Sequence, residues 1–254
     1  MNKIFMLALS LLVVVGFSAC DKKAATGNGA KSVLKVASDT TFPPMEFVDD
    51  NKNIVGFDVD VLNAVGDAEG FTPQFETVAW DSIFSTLENG SDDVVASSVS
   101  ATDERKLKYD FSDPYVNVGQ VLVVPIADTR TSKLADLAGK QVGVQIGTTG
   151  DQAAQAIRVV TVKGYSDIAL AFQDLAQGTL AGILIDSPIA ADYSMNNPTF
   201  KGKVKIVGDL ITSEPYEYAV KKGNADLLAK LNAGLAAITA SGKLDEIKAK
   251  WGIR

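Results

Sequence analysis

The chain has 254 residues, with 24 lysines and arginines against 31 aspartates and glutamates, no histidine and one cysteine. An acidic body without a basic stripe excludes nucleic acid as a partner. The missing histidine removes the commonest transition-metal ligand and general base, and the single Cys20 excludes an intramolecular disulfide.

Residues 1–19 (MNKIFMLALSLLVVVGFSA) set one lysine before an apolar run from Ile4 to Val15. That run is too short to anchor stably across a bilayer and reads as a signal peptide. Phe17-Ser18-Ala19-Cys20 resembles a bacterial lipobox, so Cys20 is the expected lipidation site, and acylation would remove a lone thiol from an oxidising compartment. Residues 20–32, polar and rich in glycine and alanine, read as a flexible tether.

Short β-rich runs then alternate with helical patterns. VLKVAS (33–38) reads as a strand, 57–69 as a helix with Val61, Leu62, Val65 and Ala68 on one face, and PQFETV (73–78) as a strand. A helix over 81–89, strands at 92–97 and 120–125, a helix near 132–138 and the strand QVGVQ (141–145) follow. A helix from Thr149, the strand VVTVK, a helix over 166–177, the strand GILID (182–186) and a helix from Pro188 complete the alternation. Helices over about 224–239 and 243–251 close the chain. Such alternation predicts parallel sheet, with ligands at the carboxyl ends of the strands. LENGSDDVVASS (87–98) and LAQGTLAGILID (175–186) share a helix end, a glycine stop and a buried strand, which sets Ser98 against Asp186. Two lobes of one architecture would present these strand ends to a common cleft, although helix–Gly–strand is also a common α/β phrase.

The polar residues at those ends carry the chemistry. Thr102 followed by Asp103, Glu104 and Arg105 reads as a capped helix start, where amides and the positive dipole end favour an anion. Arg105 adds a planar fork that fits a carboxylate bidentately, and Ser100 adds an amide and a hydroxyl. The alternative is a surface arginine paired with Asp110 or Asp113. QIGTTGD (145–151) offers a second anion cradle at Thr148 and Thr149, with glycines that lack the dinucleotide spacing. Asp186, at the mouth of an apolar strand, needs a partner; a ligand ammonium would serve, as would capping the next helix. Asp39 and Phe42 follow the first strand and Trp80 ends another, so the two aromatics are placed to flank a ligand side chain. Gln145 is a candidate reader of a polar neutral side chain, whereas Glu46 reads first as structural, with a place facing the pocket as the alternative.

DTTFPPMEF, GFDVDV, TDERK, FSDPY, GQVLVV, GVQIGTTG, DSP, EPYEYAV and the final KW occur in order between residues 33 and 252. In them the chain resembles the periplasmic polar-amino-acid binding proteins, the family 3 solute receptors of ATP-driven importers, here in lipoprotein form. The resemblance implies an α/β fold of the type II periplasmic-binding-protein kind. Its two lobes each have a mixed, mostly parallel sheet flanked by helices, and the ligand cleft lies between them. Residues 33–120 and 211–254 would make one lobe and 121–210 the other. It implies that Arg105 grips an α-carboxylate with Ser100 and Thr149, and that Asp186 and the Ser98 carbonyl hold the α-ammonium. Phe42 and Trp80 would flank the side chain. The family often has glycine where Ser98 stands and a small or aliphatic residue where Tyr218 stands.

The expected function is an extracytoplasmic receptor, monomeric and without cofactor or metal, that captures a free L-amino acid and delivers it to the membrane permease of an ABC importer. Asp39, Asp81, Phe42 and Trp80 favour a basic ligand such as arginine or lysine; Gln145 favours a neutral polar one such as glutamine. A dehydratase acting on a cyclic acid shares this fold, with Glu46, Glu214 and Glu217 as acid–base candidates, but no catalytic residue is assigned. A sensor that presents its ligand to a receptor is the third reading.

Overall fold

Where the apolar runs fall decides which strands lie inside. The computed structural model describes residues 31–253, so the signal peptide, Cys20 and nearly all of the tether fall outside the described residues. Strands β1 (Ser32–Ser38), β5 (Phe71–Thr77), β6 (Val94–Val95), β7 (Tyr109–Phe111) and β15 (Ala219–Lys221) form one five-stranded sheet, in the order β5–β1–β6–β15–β7. A second sheet joins β9 (Gln120–Pro125), β10 (Gln141–Gln145), β11 (Thr161–Tyr165), β12 (Gly182–Asp186) and β13 (Val204–Val207), in the order β11–β10–β12–β9–β13. Interior strands covered on both faces must be apolar along their whole length. All five residues of β12 are buried, as are five of the six in β9.

Helices cover both sheets. Helix α1 (Phe57–Glu69) buries Phe57, Val61, Leu62 and Val65 at helical spacing and packs on α7 (Ala225–Ala240) and α8 (Lys243–Trp251). On the second sheet, α5 (Ile168–Ala176) sets Phe172 against Tyr193 of α6 (Ser187–Met195), with ring centroids 4.0 Å apart. The short helices α2 (Ile83–Asn89), α3 (Asp103–Lys108) and α4 (Thr149–Ala156) each follow a strand end. A small three-stranded sheet of β2 (Thr41–Phe42), β3 (Glu46–Val48) and β4 (Ile54–Val55) lies between β1 and α1 in the chain. No helix among the described residues is long and apolar enough to cross a membrane.

The two crossings between the sheets are tied together. β8 (Val116–Val118) pairs antiparallel with β14 (Glu214–Tyr216). Just beyond that ribbon Gln120 N donates to Thr212 Oγ1 at 2.9 Å and Ile211 N to Gln120 O at 2.8 Å. Gly119 makes this close approach possible, since a Cβ there would lie 2.1 Å from the Thr212 carbonyl oxygen.

Strand pairing is mixed, as the family resemblance implies, rather than purely parallel as the β–α alternation alone predicts. In each sheet three adjacent strands pair in parallel, and the other two join by antiparallel pairing. Strands of two to four residues such as β7, β13 and β15 are too short to show a period. The helix expected near 132–138 is a single 3₁₀ turn, Leu134–Leu137.

Gly119→Ala is expected to cost about 2 kcal/mol or more of unfolding stability, because the backbone itself must move. A urea midpoint below that of the parent at unchanged slope checks this; an equal midpoint would show that the ribbon has room to spare.

Candidate functional site

Twelve residues line a narrow cavity: Asp39, Phe42, Glu46, Trp80, Ser97, Ser98, Ser100, Arg105, Gln145, Thr148, Thr149 and Asp186. The ten non-covalent site residues read from the sequence are all among them; Glu46 and Ser97 are the additions. They come from the carboxyl ends of β1, β5, β6, β10 and β12 and the loops that follow, together with the small β2–β3 hairpin.

Arg105 is built into its place. Thr102 caps α3 by accepting from Arg105 N at 3.2 Å. The guanidinium donates to Ser100 O at 2.8 Å and to Gly147 O at 3.1 Å, the latter a bond to the second lobe. Its carbon lies 5.1 Å from the Trp80 ring centre and 5.2 Å from that of Phe84. Two of its five donors are thus spent on carbonyls, and the others are available to the cavity. The alternative of a surface pair with Asp110 fails, because Asp110 pairs with Lys222 Nζ at 2.7 Å. Gly147 has φ of +73°, a turn glycine readily makes, and from it the chain enters α4 with Thr148 capping Asp151 N. Thr149 accepts from Gln120 Nε2 at 3.2 Å and keeps its own hydroxyl proton for another acceptor.

Asp186 ends β12 at the N-cap position of α6, yet its side chain makes no cap hydrogen bond. The carboxylate therefore belongs to the cavity rather than to the helix. Burial, and next the charge of Glu214, raise its pKa to about 6. The Tyr216 hydroxyl and the Gln120 side chain lie beside it, but neither that hydroxyl nor Gln120 Oε1 completes a hydrogen bond.

A second acidic group faces it. Asp39 accepts from Thr41 Oγ1 and from Gln145 Nε2, both at 2.9 Å, and burial raises its pKa. Gln145 also donates to Ser166 O at 3.3 Å, so its amide nitrogen is already engaged and only its oxygen is left for a ligand. Glu46 is fully buried and accepts from Ser97 Oγ at 3.3 Å and Ser98 Oγ at 3.0 Å. Behind it Asp58, also fully buried, accepts from Ser98 N at 2.8 Å and from the Tyr115 hydroxyl at 2.9 Å. Burial is the first cause that pushes Glu46 well above its ordinary pKa and Asp58 up to about 7. Ser98 has φ of +52°, a left-handed conformation that costs a non-glycine residue about 1 kcal/mol. This is where the family often has glycine, and here the serine hydroxyl and amide join the two carboxyls.

Of the two sequence readings of Glu46, structural or pocket-facing, the structure favours the second, since Glu46 lines the cavity. Its neighbours Pro44 and Met45 mark it only as part of a loop, and its burial arises from tertiary packing. Phe42 is on β2 rather than on a loop, and it belongs to the apolar cluster while its ring still borders the cavity. Glu214 is occupied by Ser100 Oγ at 2.7 Å and Thr212 Oγ1 at 2.5 Å, and neither Glu214 nor Glu217 lines the cavity. Arg105 is the one cationic side chain in a wall that holds Asp39, Glu46 and Asp186.

The model of the bacterial extracellular solute-binding proteins, family 3, matches residues 34–254. The chain belongs to that family. It is 37% identical to the probable histidine-binding protein of Neisseria gonorrhoeae, over 93% of this chain and 91% of that protein. It is 33% identical to the L-cystine-binding protein TcyJ of Escherichia coli (strain K12), over 87% and 83% of the two chains. A solved structure of an ancestral arginine-binding protein bound to arginine matches with a TM-score of 0.83 at 38% identity, covering 88% of this chain and 99% of that one. The type II fold of two lobes around a cleft is shared with these family members.

Buried carboxyls whose pKa values lie above those of the unfolded chain stabilise the fold when protonated, and that stability is lost as pH rises through the folded pKa. The ligand-free protein is therefore expected to become more stable between pH 8 and pH 5, by up to about 1.4 kcal/mol per pKa unit of each shift. With no histidine in the chain, no side chain of ordinary pKa titrates within that window. Melting temperatures at the two pH values check this. Asp58→Asn should flatten the rise, and a Tm that falls on acidification would contradict the buried arrangement.

Proposed function

We propose that the chain is an extracytoplasmic receptor that captures a free L-amino acid with a cationic side chain and delivers it to the membrane permease of an ABC importer. The observation that carries this is the charge pattern of the cavity, one guanidinium set among three carboxylates in a single wall. A free amino acid supplies one carboxylate and one ammonium, which Arg105 and Asp186 would hold. The Thr149 hydroxyl and the start of α4 support the carboxylate end, whereas the Ser100 hydroxyl is spent on Glu214. Phe42 and Trp80 flank the side chain, and a cationic tip reaches Asp39 and Glu46. Burying those carboxylates without a counter-charge is costly, so a ligand that brings a second positive charge is favoured over one that does not.

The relatives support an amino-acid ligand, since their names specify histidine and cystine, and the solved structure holds arginine. Gln145 offers a ligand only its oxygen, because its amide nitrogen is engaged by Asp39 and Ser166, and that oxygen suits the N–H donors of a cationic side chain. The role is binding rather than turnover; of the three glutamates considered for acid–base work only Glu46 borders the cavity. In this reading the ligand closes residues 33–120 and 211–254 against 121–210, and its contacts to both lobes stabilise the closed state. A lipid on Cys20 and the tether of residues 20–32 would hold a monomeric receptor at the outer face of the membrane.

Calorimetric titration of refolded, ligand-stripped protein with single amino acids tests the reading. Arginine, lysine or ornithine should bind tightly and glutamine weakly; tight binding of neutral residues alone would overturn the cationic assignment. Arg105→Ala should weaken binding by about two orders of magnitude or more while the ligand-free Tm stays nearly unchanged. Collapse of the ligand-free fold would instead make Arg105 a structural residue.

A further inference from the structure

Glu46 and Asp58 are two carboxyls without exposure, joined through one serine, and among the described residues no lysine or arginine is in salt-bridge contact with either. The groups that face the pair come from every element packed against it. Asp39 lies at the end of β1, Ser97 and Ser98 follow β6, and the hydroxyls of Tyr115, Tyr216 and Tyr218 approach from β14 and the loops beside it. None of these brings a positive charge, and burial and the neighbouring acids push all three tyrosines well above their ordinary pKa. Two buried like charges this close cannot both ionise without compensation. The asymmetry between the two is structural: Glu46 borders the cavity, whereas Asp58 lies behind it and takes hydrogen bonds from Ser98 N and the Tyr115 hydroxyl without lining the cavity itself.

We propose that the Glu46–Asp58 pair holds a proton in the empty receptor and releases it to solvent when a cationic side chain enters, so that binding is an exchange of one cation for another. The inference rests on the reading of the ligand as a cationic amino acid. In the empty cavity Glu46 is a neutral acid beside the Ser97 and Ser98 hydroxyls. When the ligand cation approaches, the acid O–H bond breaks, the proton leaves through the still-open cleft, and the carboxylate accepts from the ligand and from Ser98 Oγ. One charge replaces another, and the total in the closed cavity is unchanged. Asp58 acts as a positioning residue that keeps Glu46 protonated until a true counter-ion arrives. A neutral side chain cannot drive the exchange, and the pair thereby contributes to specificity.

The test is titration of the purified full chain with L-arginine at pH 7.5, in phosphate and in Tris, whose heats of ionisation differ. The difference in apparent enthalpy gives the number of protons exchanged. Close to one proton should be released per arginine bound, and Glu46→Gln should abolish the release; comparing the two chains cancels the ligand's own titration. Arginine affinity should also fall by about tenfold from pH 8 to pH 7 in the parent and stay level in the variant. If Glu46→Gln does not fold, Asp58→Asn serves instead, because a lone Glu46 loses its proton more readily and release at pH 7.5 drops well below one. Tight arginine binding with no net release, or equal release from Glu46→Gln, overturns the exchange and leaves the receptor reading intact. Failure of every cationic amino acid to bind overturns both, and is told apart by the absence of any binding heat.

Discussion

A carboxylate taken out of water needs a positive partner, and this cavity supplies too few. Asp39, Glu46 and Asp186 share its wall with Arg105 alone, and Asp58 adds a further acid behind them. In a protein with no histidine the deficit cannot be met by an imidazolium. What remains is to hold protons, as the raised pKa values of these groups require, or to admit a ligand that carries the missing charge. On the proposed reading both states are used, one empty and one loaded, and the energetic difference between them is what selects the ligand.

The fold turns that electrostatic need into a switch. Each sheet delivers its strand ends to the same cleft, so the anion site and the cation sites are divided between lobes. Arg105 and Asp39 belong to the first sheet and its loops; Thr149, Gln145 and Asp186 to the second. Two bonds already cross the gap, from Arg105 to Gly147 O and from Gln145 to Asp39. A ligand that touches Arg105 and Asp186 together would add its own contacts to these, and only the closed state offers both. In the proposed closure the β8–β14 ribbon and the tight passage at Gly119 would confine the relative motion to a hinge.

Much of this was legible in the residues. Arg105 follows a capping threonine, and Asp186 is a charged residue where an apolar strand stops; both are local signals with a physical reason to be where they are. The order of central strands and covering helices was legible too, because apolar periodicity is a property of the chain itself. Glu46 was not, since nothing in PPMEF distinguishes a glutamate that packs inward from one that faces water. The engaged amide of Gln145 was equally hidden, because its partners Asp39 and Ser166 are brought to it only by the fold. The short antiparallel strands β7 and β15 escaped for a simpler reason: they are three residues each, too short to show a period.

The central claim is the direction and location of the ligand, and a crystal structure of the chain grown with L-arginine tests it most directly. The account predicts the α-carboxylate on the Arg105 guanidinium, the α-ammonium on Asp186, and the side chain between Phe42 and Trp80 with its guanidinium against Asp39 and Glu46. An arginine bound in the reverse direction, with its side chain toward Asp186, or one seated outside this cavity, would contradict it.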